Sequence, residues 1–194
     1  MTQKTSTIYS DALETFDRVL SGAHCGDEQG RELEMDDGFE RCMALMARAR
    51  AAHHSVFVIG NGGSAAVASH IVNDLVNTGG LAAATIHDAS LLTCMANDYG
   101  YDEAYARILR ARASAGDLLI AISSSGNSAN IRNAAAVVTE LGGTVITLSG
   151  FAADNPLRSL GALNFWLDSR DYGVVEVGHL LLLHHLVDRF KRLD

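Results

Sequence analysis

The chain has 194 residues, 48% of them apolar and 20% charged, which suits one domain with its own core and excludes general disorder. Acids outnumber bases 23 to 15, for a formal charge of -8, so neither nucleic acid nor an anionic membrane is expected as a partner. A small anionic ligand held by backbone N–H groups stays open, because net charge does not count those donors.

Residues 8–22 and 36–52 read as helices; in the second, Phe39, Cys42, Met43, Met46 and Ala47 recur at helical spacing. Between them, 24–31 carries Gly26 and Gly30 and reads as a loop. Ser55-Val-Phe-Val-Ile59 is a β-rich run that ends in Gly60-Asn-Gly-Gly63, and a helical pattern follows over 64–76. Residues 82–86 read as a weak strand and 101–113 as a helix. Leu118-Leu-Ile-Ala-Ile122 is a buried strand, followed by Ser123-Ser-Ser-Gly-Asn-Ser128 and a helix that Gly142-Gly143 stops. A third strand covers 144–148, a loop 150–160, a last strand 163–167, and a long apolar helix 173–192.

Apolar strands alternating with helices imply an α/β fold with a parallel sheet covered on both faces. The whole chain, 1–194, reads as one domain, with 1–52 a helical extension packed on an α/β core over 53–194. Three scattered cysteines, Cys25, Cys42 and Cys94, form neither a disulfide framework nor a metal pair. Residues 1–10 are polar and show no secretory signal, and no apolar run reaches the ~18 residues of a membrane span, so the cytoplasm is the expected compartment.

Two loops carry the chemistry. Gly60-Asn61-Gly62-Gly63-Ser64 lies between a strand and a helix. Its glycines let the backbone approach a ligand, the helix start offers free N–H groups, and Ser64, read as the N-cap, adds a hydroxyl. A tight turn with a serine cap is the alternative. The same stretch also fits a loose dinucleotide fingerprint (Gly60, Gly62, Ala65), with Asp88 near the ribose spacing. That leaves the second loop unexplained. There Ser123, Ser124, Ser125 and Ser128 place four hydroxyls at another strand-to-helix junction, more than one cap requires. A phosphate needs such donors, and in an open α/β sheet ligands sit at the carboxyl ends of strands.

His70 and Asp74 are four apart, on one face of the first-loop helix. Such a pair can bind a metal, exchange protons with a substrate, or simply hydrogen-bond. Glu176 and His184, in the last helix, are eight apart: roughly 80° around the axis and about 12 Å along it. Charges in a helix that runs Leu180-Leu-Leu-Leu183 are costly unless partnered, which is an independent hint of a site.

Gly60-Asn-Gly-Gly-Ser-Ala-Ala, Ala96-Asn-Asp-Tyr-Gly, Ala115-Gly-Asp-Leu-Leu-Ile-Ala-Ile-Ser-Ser-Ser-Gly-Asn-Ser and Glu176-x-x-His179 resemble the SIS (sugar isomerase) family, and within it the phosphoheptose isomerase branch. The likeness runs from about 36 to 192. It implies a five-stranded parallel sheet flanked by helices and a homotetramer with active sites at subunit interfaces. It also implies conversion of sedoheptulose 7-phosphate to D-glycero-D-manno-heptose 7-phosphate, a heptose used in cell-surface lipopolysaccharide. By motif position, Asn61, Gly62, Gly63, Ser64, Asp98, Ser123, Ser124, Ser125, Ser128 and Glu176 would meet the substrate. His70, Asp74, Glu176 and His184 would hold zinc, with Asp74 as catalytic base and His184 as its acid/base partner. His179 matches a histidine often found in the family.

Three positions depart from the family pattern. Asp74 stands where Glu is usual, Glu176 where Gln is usual, and Thr78 where Arg is usual. The first shortens the base and the second adds a charge. The third removes a cation near the sugar. The acid/histidine set expects an isomerase working through an enediol. The alternatives are an isomerase for another sugar phosphate, or a non-catalytic SIS regulator of the kind that associates with the replication initiator DnaA. A pure scaffold has no need of the acid/histidine set.

Overall fold

A computed structural model describes residues 8–191, and the structural statements below concern those residues. The chain opens with α1 (Tyr9–Ser21), a hairpin of β1 (His24–Asp27) and β2 (Glu32–Leu33), and α2 (Met35–Ala52). Alternation begins at β3 (Ser55–Ile59), followed by α3 (Gly63–Asn77), β4 (Ala82–Ala84), α4 (Ala89–Tyr99) and α5 (Tyr101–Arg112). Then come β5 (Leu118–Ser123), α6 (Ala129–Glu140), β6 (Thr144–Ser149), a 3-10 turn (Pro156–Ser159), β7 (Leu163–Trp166) and α7 (Tyr172–Phe190). The end of the last expected helix, at residue 192, and most of the N-terminal stretch searched for a signal lie outside the described residues.

Strand order is β2-β1-β7-β6-β5-β3-β4. Strands β3 to β7 are parallel throughout, as their apolar runs predict. The sheet nevertheless has seven strands and is mixed, not five-stranded and parallel, because β1 pairs antiparallel with β7 and β2 with β1. Residues 24–31, expected as a loop, therefore hold a strand. What makes it one is tertiary: Cys25 is buried opposite Phe165, and Gly26 lies beneath the Asn164 amide, whose Nδ2 donates to Gly26 O at 3.1 Å. Asp27 shapes the turn by accepting from the backbone N–H of Gln29 (3.0 Å) and Arg31 (2.9 Å).

α4 is a second addition. None of its residues is fully buried; Leu91, Leu92 and Met95 pack half-buried against the layer that holds α5 and α6. It starts where Asp88 accepts from Leu91 N–H at 2.8 Å, an N-cap bond. Asp88 thus has a structural role as a helix cap, which the dinucleotide reading does not call for.

Alternate residues of each central strand face opposite layers. Val56, Val58, Leu118, Ile120 and Ile122 pack with α2, α3 and α7. Phe57, Ile59, Leu119 and Ala121 pack with α5 and α6. Fully burying a side chain of this kind contributes roughly 1.5–3 kcal/mol, so the central strands anchor both layers. Cys25 and Cys42 are buried thiols, with burial raising the Cys25 pKa to about 11. No described helix is long and apolar enough to cross a membrane.

Candidate active site

The carboxyl ends of β3 and β5 are neighbours, so the two loops that follow them meet. Ser64 Oγ and Ser124 Oγ are 3.5 Å apart, both buried. Ser64 is not the N-cap: α3 starts at Gly63, and the cap is Gly62, at φ +54, with no side-chain cap bond. Its hydroxyl therefore points across to the second loop. Ser128 does cap α6, but its side chain accepts no cap bond and instead takes a hydrogen bond from Ser123 Oγ at 3.2 Å. Ser64, Ser123 and Ser128 are thus not consumed as helix caps, whereas Ser125 Oγ accepts from Asn127 N–H at 3.2 Å within the loop's own turn.

Asn61 is held rather than free. Its Nδ2 donates to Asn130 Oδ1 (2.9 Å), and its Oδ1 accepts from Asn130 Nδ2 (2.9 Å) and from Tyr101 Oη (2.8 Å). Tyr105 Oη donates to Gly60 O at 2.9 Å. Asn130, Tyr101 and Tyr105 set the first loop, and the sequence reading passed over all three. Asn130 had left a signal, a polar residue among the apolar positions of a helix's first turn.

The acid/histidine set is only partly assembled. His70, Asp74 and His184 come together, each offering a ligand atom within 4.8 Å of the others. His184 Nδ1 lies 3.2 Å from Asp74 Oδ2, and its Nε2 lies 3.1 Å from His70 Nε2. The pair is half-exposed, His184 at 39% and Asp74 at 32%, so a substrate can reach it. Thr78, at the departure from Arg, turns back on its own helix and donates to Asp74 O at 2.7 Å.

Glu176 does not join that cluster. Its carboxylate lies flat on Gly63, where an added Cβ would stand 2.1 Å from Oε2. Contacts between α3 and α7 advance together, from Gly63–Glu176 to Asp74–His184, so the helices run side by side in the same direction. Glu176 is therefore level with the first loop and His184 with the base, two turns on. Within one chain the expected four-residue zinc set is a set of three. Asp98 is also apart: its side chain meets Cys94 Sγ (3.7 Å) and Asn97 Nδ2 (2.9 Å), not the loops.

The loops at the carboxyl edge and the cluster behind them fit a class now matched directly. The SIS domain model matches residues 29–150, which makes this a SIS-domain protein. The phosphoheptose isomerase of Citrifermentans bemidjiense is 34% identical over 176 residues, covering 88% of this chain and 91% of the relative. That of Halorhodospira halophila is 39% identical over 160 residues, covering 78% and 81%. The solved phosphoheptose isomerase from Neisseria gonorrhoeae superposes with a TM-score of 0.80 at 27% identity and 94% coverage of both chains. The chain belongs to the phosphoheptose isomerase family of SIS domains.

Proposed function

We propose that this enzyme interconverts sedoheptulose 7-phosphate and D-glycero-D-manno-heptose 7-phosphate. The observation that carries the reading is the Asp74–His184 pair at 3.2 Å, set on α3, which follows the first loop, and on α7, whose Glu176 lies on Gly63 of that loop. Relatives named phosphoheptose isomerase support it at 34% and 39% identity.

The phosphate takes the hydroxyls and N–H groups of Ser64, Ser123, Ser124, Ser125 and Ser128, with the starts of α3 and α6 adding their positive ends. Asp74 takes a proton from C1 of the ketose. The C–H electron pair becomes the C1=C2 bond, and the carbonyl pair moves onto O2. His184 gives a proton to O2 and takes one from O1, and Asp74 returns its proton to C2, so the reaction balances without an oxidant. Entry of the substrate has to part Asp74 from His184, since each occupies the other's working atom.

Two imidazoles and one carboxylate with converging atoms suit the three-ligand zinc sites of enzymes, so His70, Asp74 and His184 fit a zinc ion. When bound, it would polarise the substrate carbonyl. Glu176, lying on Gly63, is better placed to meet sugar hydroxyls beside the first loop.

The site is completed by a second copy in a homotetramer. Supporting this, Asp98 sits on α4, a helix with no fully buried residue, away from the loops of its own chain. The product would feed heptose into cell-surface polysaccharide, in the cytoplasm where phosphorylated sugars are made. The test is incubation of the purified protein with sedoheptulose 7-phosphate, with and without zinc, followed by NMR. Appearance of the aldose phosphate, lost in Asp74→Asn, is the expected result. A folded protein that binds the sugar phosphate but leaves it unconverted would favour a regulatory SIS protein.

A further inference from the structure

α7 meets the site through three side chains. Glu176 covers Gly63, and His184 faces Asp74 and His70. Between them His179, with 0% exposure, turns toward the sheet. Its Nε2 lies 3.0 Å from Ser149 O. A carbonyl only accepts, so Nε2 carries the hydrogen, and Nδ1 is left buried with no partner.

Ser149 ends β6 directly beside Ser123, the first residue of the serine loop. The segment after it holds that loop at several points. Gly150 N–H donates to Ser124 O at 2.9 Å, and Leu157 N–H donates to Gly126 O at 3.2 Å. Asn155 Nδ2 donates to Ser149 Oγ (3.2 Å) and Gly150 O (3.1 Å). Asn155 Oδ1 presses on Gly126, where a Cβ would stand only 1.8 Å away. The serine loop thus rests on a strap, 149–157, and His179 ties the start of that strap to α7.

The choice of residue is informative. A leucine would fill a fully buried position on an apolar helix without leaving an imidazole nitrogen unpaired, which is costly. Ser149 O already accepts from Leu167 N–H at 3.0 Å, so its second bond is not needed to satisfy it. What the histidine adds is a fixed distance between α7 and the strap.

We infer that His179 is a positioning residue: its bond to Ser149 O sets the strap, and through it the spacing of the serine donors that receive the phosphate. This rests on the reading of 123–128 as the phosphate site. His179 touches neither the substrate nor the proton-transfer pair, so its loss acts on phosphate affinity and spares the chemical step.

The test compares wild type with His179→Gln, His179→Leu and Asn155→Ala. Two quantities are measured: kcat and KM for sedoheptulose 7-phosphate, and binding of inorganic phosphate by 31P NMR titration. A glutamine amide donates from nearly the same place as Nε2, so H179Q stays within about threefold of wild type in all of them. H179L raises KM and the phosphate Kd by about tenfold, the weight of one well-placed hydrogen bond, while kcat changes less than about threefold. Asn155→Ala, which loosens the strap without touching α7, shows the same split and decides the matter if H179L does not fold. Equal losses in H179Q and H179L, or a fall in kcat at unchanged KM, overturn the inference. A wild type that binds phosphate but does not convert the sugar overturns the proposed reaction alone, and the NMR titrations still decide the role of His179. A wild type that binds no phosphate overturns both.

Discussion

Asp74 Oδ2 and His184 Nδ1 stand 3.2 Å apart on two different helices, 110 positions apart in the chain. Their meeting depends on α3 and α7 lying side by side in the same direction. Both helices are continuous α-helix through these residues. Replacing Asp74 by Asn keeps the shape and removes the base. The expected result is a fall in kcat of about 10²–10⁴-fold with an unchanged circular dichroism spectrum and melting temperature. A variant that keeps wild-type kcat would take the base role away from Asp74.

Zinc binding separates the cluster from Glu176. His70→Ala and His184→Ala each remove one of three converging ligands and should weaken zinc by about tenfold or more in competition with a chromogenic chelator. Glu176→Gln should leave the zinc Kd within about threefold, since its carboxylate lies on Gly63. A large loss in E176Q would mean that a ligand reaches the cluster from a neighbouring subunit.

Gly126 is the tightest point of the serine loop. Its φ is +64, and a Cβ there would collide with Asn155 Oδ1. Gly126→Ala therefore combines an unfavourable backbone conformation with displacement of the strap, and should cost about 1–3 kcal/mol or more. Urea unfolding reads the cost, and a loss below about 0.5 kcal/mol would show that the loop relaxes freely.

Burial of His179 gives stability a pH dependence. Desolvation lowers its pKa from the ordinary 6.5 to about 4, partly opposed by the bond to Ser149. The fold therefore favours the neutral ring. Its contribution is complete above pH 6.5, where the unfolded ring is also neutral, and is lost progressively as pH falls from 6.5 toward 4. The full loss is about 3 kcal/mol. Unfolding free energies of wild type and His179→Gln, measured from pH 7 to 4, should converge by about that amount. Parallel curves would place the titration elsewhere.

The three central strands were legible because each is a short run rich in apolar and β-branched residues, and both loops because glycines and serines cluster directly after such runs. β1 was not legible: it is four residues long, includes Gly26, and pairs along its whole length with β7, a partner 138 positions away at Asn164. α4 escaped because its apolar side is short, Leu91, Leu92 and Met95, and only half-buried. In the site, spacing was enough to link His70 with Asp74, which share one helix face. It could not say where Glu176 would go, because that depends on how far α7 is slid along α3. Asn130 was missed because its partner, Asn61, lies in a loop distant in sequence.

The hairpin at the start of the chain bears on how copies of this protein can meet. It covers β7, so the sheet ends on one side in β2, two residues long, and on the other in β4, three residues long. Neither margin offers enough unpaired backbone to recruit a strand from another molecule, so the protein is guarded against edge-to-edge polymerisation. Its exposed apolar side chains lie instead on helices, Val177 and Leu181 of α7 among them, at 52% and 49%.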